Sequence, residues 1–389
     1  MAIIVQKYGG SSVADVAKIG HVADKVVAAK RAGDDVVVVV SAMGKTTDEL
    51  LALARSVAGD AVPPRRELDM LVSTGERVTM ALLSIAIHAR GYEAISFTGS
   101  QSGIITNDRH FDARIIEVRP HRIEDELARG RIVIVAGYQG MSYRREITTL
   151  GRGGTDTTAV AIAAALDAGR CEIYSDVDGV YSADPRVVDA PLHLPELDLA
   201  VLQEMAEAGA KVINAQAVEW ARRNKVTIHA RRTADPIDGA RETVVRDGAG
   251  DGATTVRAVV GLDRVVVLRS PEPLRRLADV LVAHGVPTID VAAAASGASA
   301  LVPLLNLPDW TRCRAKLHAD VRGLEVVEGA ALVSVVGAEL GRALPRFLSV
   351  LEEAQIAPLA VTAGPLRLGA AVPSARLADA QRALHTAFV

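Results

Sequence analysis

The sequence predicts an α/β protein in which a mainly parallel sheet is covered by helices and is followed by two smaller ferredoxin-like units. Of the residues, 49% are hydrophobic and only 3% are aromatic, a mixture typical of Val-rich buried strands under Ala-rich helices. Short apolar runs alternate with helical patterns and end in polar or glycine-rich turns. The length of 389 residues suffices for two or three domains.

The composition excludes several classes of protein. The net charge is −3 with basic and acidic residues interspersed, so nothing indicates a nucleic-acid surface. The two cysteines, Cys171 and Cys313, are too few for a disulfide framework and favour a reducing cytosol. The chain begins with a strand-like segment, and no apolar run approaches the roughly 18 residues of a membrane helix. We expect a soluble, cytoplasmic protein without a membrane or nucleic-acid partner.

The first predicted strand, Ile3 to Tyr8, runs into a glycine-serine turn, Gly9 to Ser12, and then into a helical pattern from Ala14 to about Arg31. Strand, Gly-Gly-Ser-Ser and helix together outline a phosphate cradle, with Lys7 as a point charge for a phosphoryl group. The spacing of a Walker A loop is absent. The alternative is an ordinary β–α connection with a solvent-facing lysine.

Further strands in the first 250 residues end in similar clusters of Gly, Ser, Thr or Asp, six in all. Six such clusters are more than turns alone require. Because open α/β sheets bind ligands at the carboxyl ends of their strands, the clusters indicate a ligand site at this edge of the sheet. Glu76 lies in the first turn of a predicted helix, where an acid is also favourable for the helix dipole alone. The other predicted strands are Val36 to Val40, Ala94 to Phe97, Ile132 to Ala136, Cys171 to Tyr174 and Val226 to Ala230.

The segment from Thr148 to Leu166 organises this half of the chain. Its Gly-Arg-Gly-Gly turn, Gly151 to Gly154, precedes a Thr-Asp-Thr-Thr cluster that is expected to cap a helix. The glycines allow close approach of a ligand, and Arg152 offers a guanidinium fork for a carboxylate or phosphate. An anion site and a plain capped helix are both open at this point.

Together these loops favour a large polyanionic ligand such as a magnesium nucleoside triphosphate. The nine histidines show no metal-ligand spacing, and no Ser-His-Asp or Cys-His arrangement is evident. A phosphoryl transferase needs neither, because its catalysis depends on positioning and charge neutralisation.

The composition changes near Asp247, where Gly248 to Gly252 has the content of a flexible linker. Beyond it, the order β-α-β-β-α occurs twice, as in ferredoxin-like repeats. The predicted domains are residues 1–247, 254–329 and 330–389, and the strand 254–262 is left open between the last two.

Eight motifs follow one another in order over the first 235 residues. They are KYGGSS (Lys7 to Ser12), SAMG with Thr47, TGER (Thr74 to Arg77), SFTGSQSGI (Ser96 to Ile104), AGYQG (Ala136 to Gly140), TTLGRGGTDTTA (Thr148 to Ala159), YSDVDGVYSADPR (Tyr174 to Arg186) and EMAEAGAKV (Glu204 to Val212). Together they resemble the motifs of aspartate kinases, a family with the amino-acid-kinase fold. The resemblance implies transfer of a phosphoryl group from Mg-ATP to the β-carboxylate of L-aspartate, for lysine, threonine and methionine biosynthesis.

The resemblance also implies roles for individual residues. The residues implied in catalysis are Lys7, Arg152, Asp156 and Lys211. Those implied in holding aspartate are Ser41, Thr47, Glu76, Arg152, Gly153, Gly154, Thr155 and Asp156. Those implied in binding ATP are Lys7, Gly9, Gly10, Ser175, Asp176, Tyr181, Asp184, Arg186 and Lys211, and no residue is assigned as a metal ligand.

The sequence departs from the family at several positions. Thr155 replaces a serine, and Gln216, His229 and Arg232 also differ, which we interpret as altered contacts to the C-terminal half, whereas Arg231 is kept.

The second half resembles two ACT domains in length and order but poorly in sequence. Aspartate kinases bind lysine or threonine there through an N-I-D/E segment and a Gln-Asn pair. This chain keeps Thr288-Ile289-Asp290 but continues with four alanines, Ala292 to Ala295. Alanine cannot satisfy an ammonium or a carboxylate, so we expect weak or absent feedback regulation, with Asp290 as a residual ammonium partner.

Two alternative functions remain open in the sequence, namely a kinase acting on an aspartate analogue and a non-catalytic regulatory subunit. ACT-type units present sheet edges that pair readily, and we expect a homodimer or a higher even oligomer formed through the ACT-like region.

Overall fold

The computed structural model describes residues 2–236, 239–249, 256–305, 307 and 309–389, which form two compact units. Part of the predicted linker, Gly248 to Gly252, and the start of the strand predicted at 254–262 lie outside the described residues. Two short segments from the first 247 residues belong to the same unit as the C-terminal half of the chain. The predicted domain boundaries stay a prediction. The first unit comprises Met1–Val180, Leu194–Ala200 and Val212–Gly250, and the second comprises Tyr181–His193, Val201–Lys211 and Asp251–Val389.

Strands and helices alternate through residues 2–249, as the sequence predicts. The strands are β1 (Ile3–Tyr8), β2 (Asp35–Val40), β3 (Ala94–Phe97), β4 (Ile104–Thr106), β5 (Ile115–Val118), β6 (Ile132–Ala136), β7 (Gln139–Ser142), β8 (Ile147–Thr149), β9 (Arg170–Ser175), β10 (Val180–Tyr181), β11 (His193–Leu194), β12 (Glu196–Asp198), β13 (Ile228–Arg232) and β14 (Glu242–Arg246). The helices are α1 (Val16–Arg31), α2 (Thr46–Ala58), α3 (Arg65–Val72), α4 (Thr74–His88), α5 (His121–Ala128), α6 (Gly154–Ala165), α7 (Leu199–Glu207) and α8 (Ala215–Asn224).

An eight-stranded sheet forms the centre of the first unit, in the order β12-β14-β13-β9-β1-β2-β6-β3. All of its strand pairs are parallel except β13 with β14. The predicted mainly parallel sheet is therefore confirmed. Its register sets Lys7 on β1 between Val39 on β2 and Ile173 on β9, so the carboxyl ends of the three strands lie side by side.

Helices cover both faces of this sheet because their apolar residues recur with helical spacing. On one face, α1 and α4 pack Val22, Val26, Leu83 and Ile87 against the Val-rich strand β2. The helix α6 is buried from Gly154 to Ala163 and contacts β1, β2 and β9.

By length and composition, the stretch Arg65–His88 is the one helical segment among the described residues that could cross a membrane, and 44% of its most apolar 18-residue window is buried within the protein. Core helices of soluble proteins commonly have the same length and composition.

A second, four-stranded sheet in the order β5-β4-β7-β8 was not predicted. Its strands have three or four residues each, too few for a clear alternation of apolar and polar side chains. The hydroxyls of Thr106 and Thr148 form a buried hydrogen bond 2.5 Å long between β4 and β8. This sheet leads the chain through β8 into the Gly-Arg-Gly-Gly turn.

The second unit contains one six-stranded antiparallel sheet in the order β16-β17-β15-β18-β20-β19. Two pairs of helices pack on it, α9 with α10 and α11 with α12, each with its own core cluster. The order β-α-β-β-α therefore occurs twice, as predicted. The elements are β15 (Val256–Ser270), α9 (Leu274–Ala283), β16 (Asp290–Ala294), β17 (Gly297–Pro303), α10 (Trp310–Asp320), β18 (Glu325–Gly337), α11 (Leu344–Glu353), β19 (Ala360–Ala363), β20 (Arg367–Pro373) and α12 (Leu377–Phe388).

The strand β15 joins the two repeats. Its residues 265–270 pair with β17 of the first repeat, and the strand pairs with β18 of the second from residue 256 to residue 269. The sequence did not decide to which repeat the strand at 254–262 belongs. Within the described residues, this strand continues into the strand predicted at Val265 to Arg269.

One predicted helix start is wrong. The sequence suggests a helix beginning at Gly209-Ala210-Lys211, but α8 begins only at Ala215. Gly209 has a φ of 112° beyond the end of α7, a conformation that favours glycine and ends a helix. Asn214 caps α8 by accepting a hydrogen bond from the backbone N–H of Gln216.

Candidate active site

The best-formed polar cluster of the first unit lies at the carboxyl ends of β1, β2 and β9. Lys7, on β1, is only 8% exposed. Its Nζ lies 2.7 Å from Oδ1 of Asp156, in the first turn of α6. Both side chains are about nine-tenths buried, with exposed fractions of 11% and 9%. A buried pair of this kind holds a lysine charge in a defined place instead of leaving it solvated.

The glycine turn after β1 packs backbone to backbone against the turn after β2. The N–H of Gly44 donates to the carbonyl of Gly10 at 3.1 Å. A Cβ on Gly10 would lie 2.9 Å from the carbonyl oxygen of Ala42, closer than real Cβ contacts permit. On the other side, the N–H of Gly9 donates to the carbonyl of Tyr174 at the end of β9. Glycine is therefore required here for packing as well as for approach to a ligand.

Glu76, at the start of α4, presents an unused acceptor. Its Oε1 accepts the backbone N–H of Ala42 at 3.0 Å, whereas its Oε2 is buried and has no hydrogen-bond partner among the described residues. Burial raises the pKa of Glu76 to about 7, against the lowering effect of its backbone hydrogen bonds. A buried carboxylate oxygen without a partner is suited to a ligand cation such as an ammonium group.

The start of α6 differs from the predicted capping cluster. Gly153, with a φ of 78°, occupies the N-cap position, and no side chain caps the helix. Thr155 and Asp156 lie inside the first turn instead, and Ser41 Oγ donates to Thr155 Oγ1 at 2.9 Å. This bond joins the carboxyl end of β2 to the start of α6, so Ser41, Thr155 and Asp156 form one continuous cluster with Lys7.

Asn214 fixes the Gly-Arg-Gly-Gly turn and was not predicted. Its Nδ2 donates to the carbonyl of Arg152 at 2.9 Å, and its backbone N–H donates to Oδ2 of Asp156 at 3.2 Å. A Cβ on Gly153 would lie 2.6 Å from the same amide group. The sequence places Asn214 inside a predicted helix, which gave no signal of a contact with Arg152, 62 residues away.

The side chain of Arg152 points away from this tight core. It is 66% exposed, and its ion pair with Asp48 on α2 is 3.4 Å long. Thr47, beside Asp48, is half-buried. Exposed ion pairs contribute at most about 1 kcal/mol, so the guanidinium is readily redirected to a ligand.

The residues predicted to bind the nucleotide fall into both units. Ser175 and Asp176 follow β9 in the first unit, where Ser175 Oγ accepts the N–H of Val177 and Asp176 is exposed. Four others belong to the second unit. There, Asp184 accepts two guanidinium hydrogen bonds from Arg186, which lower the pKa of the Asp184 carboxyl. The four are Tyr181, Asp184, Arg186 and Lys211, and their role stays a prediction.

A separate polar network lies on the opposite face of the sheet from Lys7. Glu172 accepts hydrogen bonds from Gln6 at 2.8 Å and from Arg231 at 3.0 Å. Burial alone would raise the pKa of Glu172, but its arginine and glutamine partners hold it below the usual value. His229, interpreted from the sequence as a contact to the C-terminal half, bonds to Glu242 within the first unit. This network links β1, β9, β13 and β14, and we assign it to the fold.

Comparisons with known proteins identify the family of this chain. A family model described as the amino acid kinase family matches residues 2–231. The aspartokinase of Corynebacterium glutamicum is 40% identical over 407 aligned residues, covering 100% of this chain and 96% of that protein. The aspartokinase of Mycolicibacterium smegmatis is 54% identical over 252 residues, but the match spans 64% of this chain and only 59% of that relative. The crystal structure of E. coli aspartokinase III in complex with aspartate and ADP in the R-state superposes with a TM-score of 0.87 at 25% identity, over 99% of both chains.

Proposed function

The chain belongs to the aspartokinases of the amino acid kinase family, and from this premise we propose that it transfers the γ-phosphoryl group of ATP to the β-carboxylate of L-aspartate, giving 4-phospho-L-aspartate. The observation that carries the proposal is the buried Lys7, held 2.7 Å from Asp156 where the glycine turns of β1 and β2 meet. A fixed cation beside a glycine turn at the carboxyl edge of a parallel sheet is suited to a phosphoryl group.

In the proposed reaction, Lys7 neutralises charge that develops on the transferring phosphoryl oxygens. Asp156 holds the ammonium of Lys7 in place, and its second oxygen is fixed by the N–H of Asn214. No general base is required, because the β-carboxylate of aspartate has an ordinary pKa of about 3.9 and is ionised at neutral pH. The catalytic contribution of the chain is therefore positioning and electrostatic stabilisation.

The proposed aspartate site uses charges of both signs. The unpartnered Oε2 of Glu76 receives the substrate ammonium, and the exposed fork of Arg152 receives a carboxylate. Further contacts are proposed from Ser41, Thr47, Gly153, Gly154 and Thr155. The relative from E. coli, solved with aspartate and ADP, supports this choice of substrate and nucleotide.

ATP is proposed to bind with magnesium. Among the described residues, no group of three or more His, Cys, Asp or Glu side chains is close enough to hold a metal ion. Asp176, which follows β9 at the carboxyl edge of the sheet, is an exposed single carboxylate. This donor set fits a magnesium ion that is held mainly by the nucleotide phosphates and touches the protein through one or two carboxylates.

We further propose a cytoplasmic enzyme of lysine, threonine and methionine biosynthesis, consistent with the free, buried thiols of Cys171 and Cys313. Feedback regulation is proposed to be weak or absent. In the second unit, Asp290 accepts two hydrogen bonds from Arg367 Nη2, at 2.8 and 2.9 Å. The carboxylate that the sequence left as an ammonium partner is therefore already paired. The adjoining cavity of 340 Å³ is lined by Ala292, which offers no side-chain polar group, and its polar side chains are those of Glu204, Asp290, Thr362 and Arg367.

The test is hydroxylamine trapping of the acyl phosphate with Mg-ATP and a panel of carboxylates. We expect a hydroxamate with L-aspartate and much less with glutamate, N-acetyl-aspartate or aspartate analogues. Preference for an analogue would identify a sister kinase instead. No hydroxamate with any carboxylate, from protein that binds Mg-ATP, would contradict the proposed reaction.

A further inference from the structure

Asp69 is a fully buried acid that the proposed chemistry does not use. It lies on α3, is 0% exposed, and contacts no residue proposed to bind aspartate or ATP. Its carboxylate nevertheless accepts from three donors on two distant segments. These donors are the hydroxyl of Thr149 at 2.5 Å, Nδ1 of His110 at 2.6 Å and the backbone N–H of Phe111 at 3.1 Å.

One of the two segments, β8, leads directly into the Arg152 turn of the proposed aspartate site, and the other, the loop after β4, is tied to β8. Thr149 ends β8, three residues before Arg152. Phe111 lies in the loop after β4 and has a φ of 71°, a strained conformation that its bond to Asp69 helps to hold. The same loop is tied to β8 again by the N–H of Ala113, which donates to the carbonyl of Thr149. Removing the carboxylate would release both segments together.

The main chain around Asp69 reaches Glu76 on the other side. The carbonyl of Asp69 accepts the N–H of Ser73, which lies between α3 and α4. The carbonyl of Ser73 in turn accepts Nε2 of Gln139 at 2.8 Å. Glu76 follows in the first turn of α4. One residue therefore connects the helix that carries Glu76 to the strand that leads into the Arg152 turn.

We propose that Asp69 is a positioning residue, which sets the separation between the Glu76 carboxylate and the Arg152 turn and thereby the affinity for the amino-acid substrate. This inference rests on the proposed function, because it concerns the same aspartate site. A buried carboxylate is stable only when its acceptor capacity is filled, and here the donors are the hydroxyl, imidazole and amide of the two segments to be positioned. Burial raises the pKa of Asp69 even against these hydrogen bonds.

The primary variants are Asp69→Asn and Thr149→Val. The first replaces one acceptor oxygen by a donor, and the second removes the hydroxyl at nearly constant shape. A displacement of the order of 1 Å at a substrate-holding group costs up to about 100-fold in rate, so we expect the aspartate KM to rise at least about tenfold in both variants. The ATP KM should stay within about twofold, because none of the hydrogen bonds described for Asp69 reaches the Lys7 turn directly. Thr149→Ser keeps the hydroxyl and should restore the aspartate KM.

Thr106→Val is the matched control. Thr106 is equally buried in the same small sheet and loses a comparable hydroxyl bond, to Thr148, but does not contact Asp69. We expect its aspartate KM to remain within about twofold of the wild-type value. Thermal unfolding of every variant measures the folded fraction. If Asp69 had a merely structural role, its replacement would lower the folded fraction without changing the KM for aspartate or for ATP.

Three results would overturn the inference. Folded Asp69→Asn and Thr149→Val with unchanged aspartate KM would refute it, as would equal increases of the aspartate KM in Thr106→Val. If Asp69→Asn fails to fold, the comparison of Thr149→Val with Thr149→Ser decides alone. Wild-type protein that turns over no aspartate would instead refute the proposed function, and this assignment with it.

Discussion

At the scale of single residues, the pair of Lys7 and Asp156 was not itself predicted, although both residues were selected from sequence motifs. Their contact spans 149 positions and depends on the parallel pairing of β1 with its neighbours and on α6 returning over them. Asn214 and Asp69 were missed for the same reason. Each acts through partners far away in the chain, and neither stands in a glycine-rich turn.

Replacing Lys7 by alanine should reduce turnover by about 100-fold or more, because a preorganised charge that stabilises the transition state is lost. The hydroxamate assay at saturating aspartate and ATP measures this effect. Lys18→Ala, at an exposed lysine of α1, is the control and should leave turnover unchanged. Wild-type turnover in Lys7→Ala would contradict the role given to Lys7.

The raised pKa of Glu76, about 7, predicts a pH dependence for aspartate binding. Only the ionised carboxylate attracts the substrate ammonium, so kcat/KM for aspartate should fall as the pH drops below about 7, approaching tenfold per pH unit. Measurements at saturating Mg-ATP between pH 5.5 and 8.5 would show the decline. Glu76→Gln should be less active and should lack this inflection, and an inflection that persists in the variant would assign it to another group.

The raised pKa of Glu76 has the opposite effect on the stability of the fold, which should decrease as the pH rises. An acid whose pKa is higher in the folded than in the unfolded protein stabilises the fold fully below its unfolded pKa, and this contribution is lost as the pH rises through about 7. The free energy of unfolding of the ligand-free protein should therefore lose this contribution as the pH rises from 4.5 to 7. The free energy of unfolding of Glu76→Gln should not show this decrease, because glutamine does not ionise.

At the scale of elements, the sequence indicated most strands because the buried runs are short and Val-rich, as in β2 and β6. It did not indicate the full length of β15, because Asp263 and Arg264 interrupt the apolar pattern. The structure accommodates them with a register irregularity between Leu262 and Val265 and a positive φ at Arg264. The start of α8 was likewise hidden, because the sequence does not show that Gly209 lies against the backbone of Gly261, 2.5 Å from an added Cβ.

The turn after β1 should not tolerate a side chain at Gly10. In Gly10→Ala the new methyl group would press on the carbonyl of Ala42 and push the two glycine turns apart. We expect the KM for ATP to rise at least about tenfold, since the backbone N–H groups lose their geometry. Gly20→Ala, in the interior of α1 with its nearest neighbour at 3.5 Å, is the control. An unchanged ATP KM in folded Gly10→Ala would show that this turn does not contact the nucleotide.

At the scale of the whole molecule, the pairing of Asp290 with Arg367 predicts insensitivity to effectors. An effector shifts activity only by its differential affinity for two states, and typical couplings are about 1–3 kcal/mol. We expect millimolar lysine, threonine or both together to leave activity within about twofold. Calorimetry showing micromolar binding with matching inhibition would contradict this expectation.

Assembly is the second prediction at this scale. The edge strands β16 and β19 carry the exposed Val291 and Val361, 50% and 41% exposed, and edges of this kind pair with another chain. We expect light scattering to show a dimer or a higher even oligomer at micromolar concentration. Val291→Lys with Val361→Lys should weaken it, whereas Val282→Lys, at a valine of α9 that is 80% exposed, should not. A monomeric wild type would refute the prediction.

The long strand β15 also has a consequence for how such chains can be recombined. Because a single continuous strand pairs with β17 of one repeat and β18 of the other, the backbone hydrogen-bond ladder between β15 and β18 joins the two repeats. A chimera joined between the repeats, for example near residue 325, would supply β18 from a different relative than β15. Every side chain along that seam would then have to match a foreign partner. Exchange among relatives should therefore succeed when the entire stretch from β15 to α12 is transplanted, and fail when either repeat is transplanted alone.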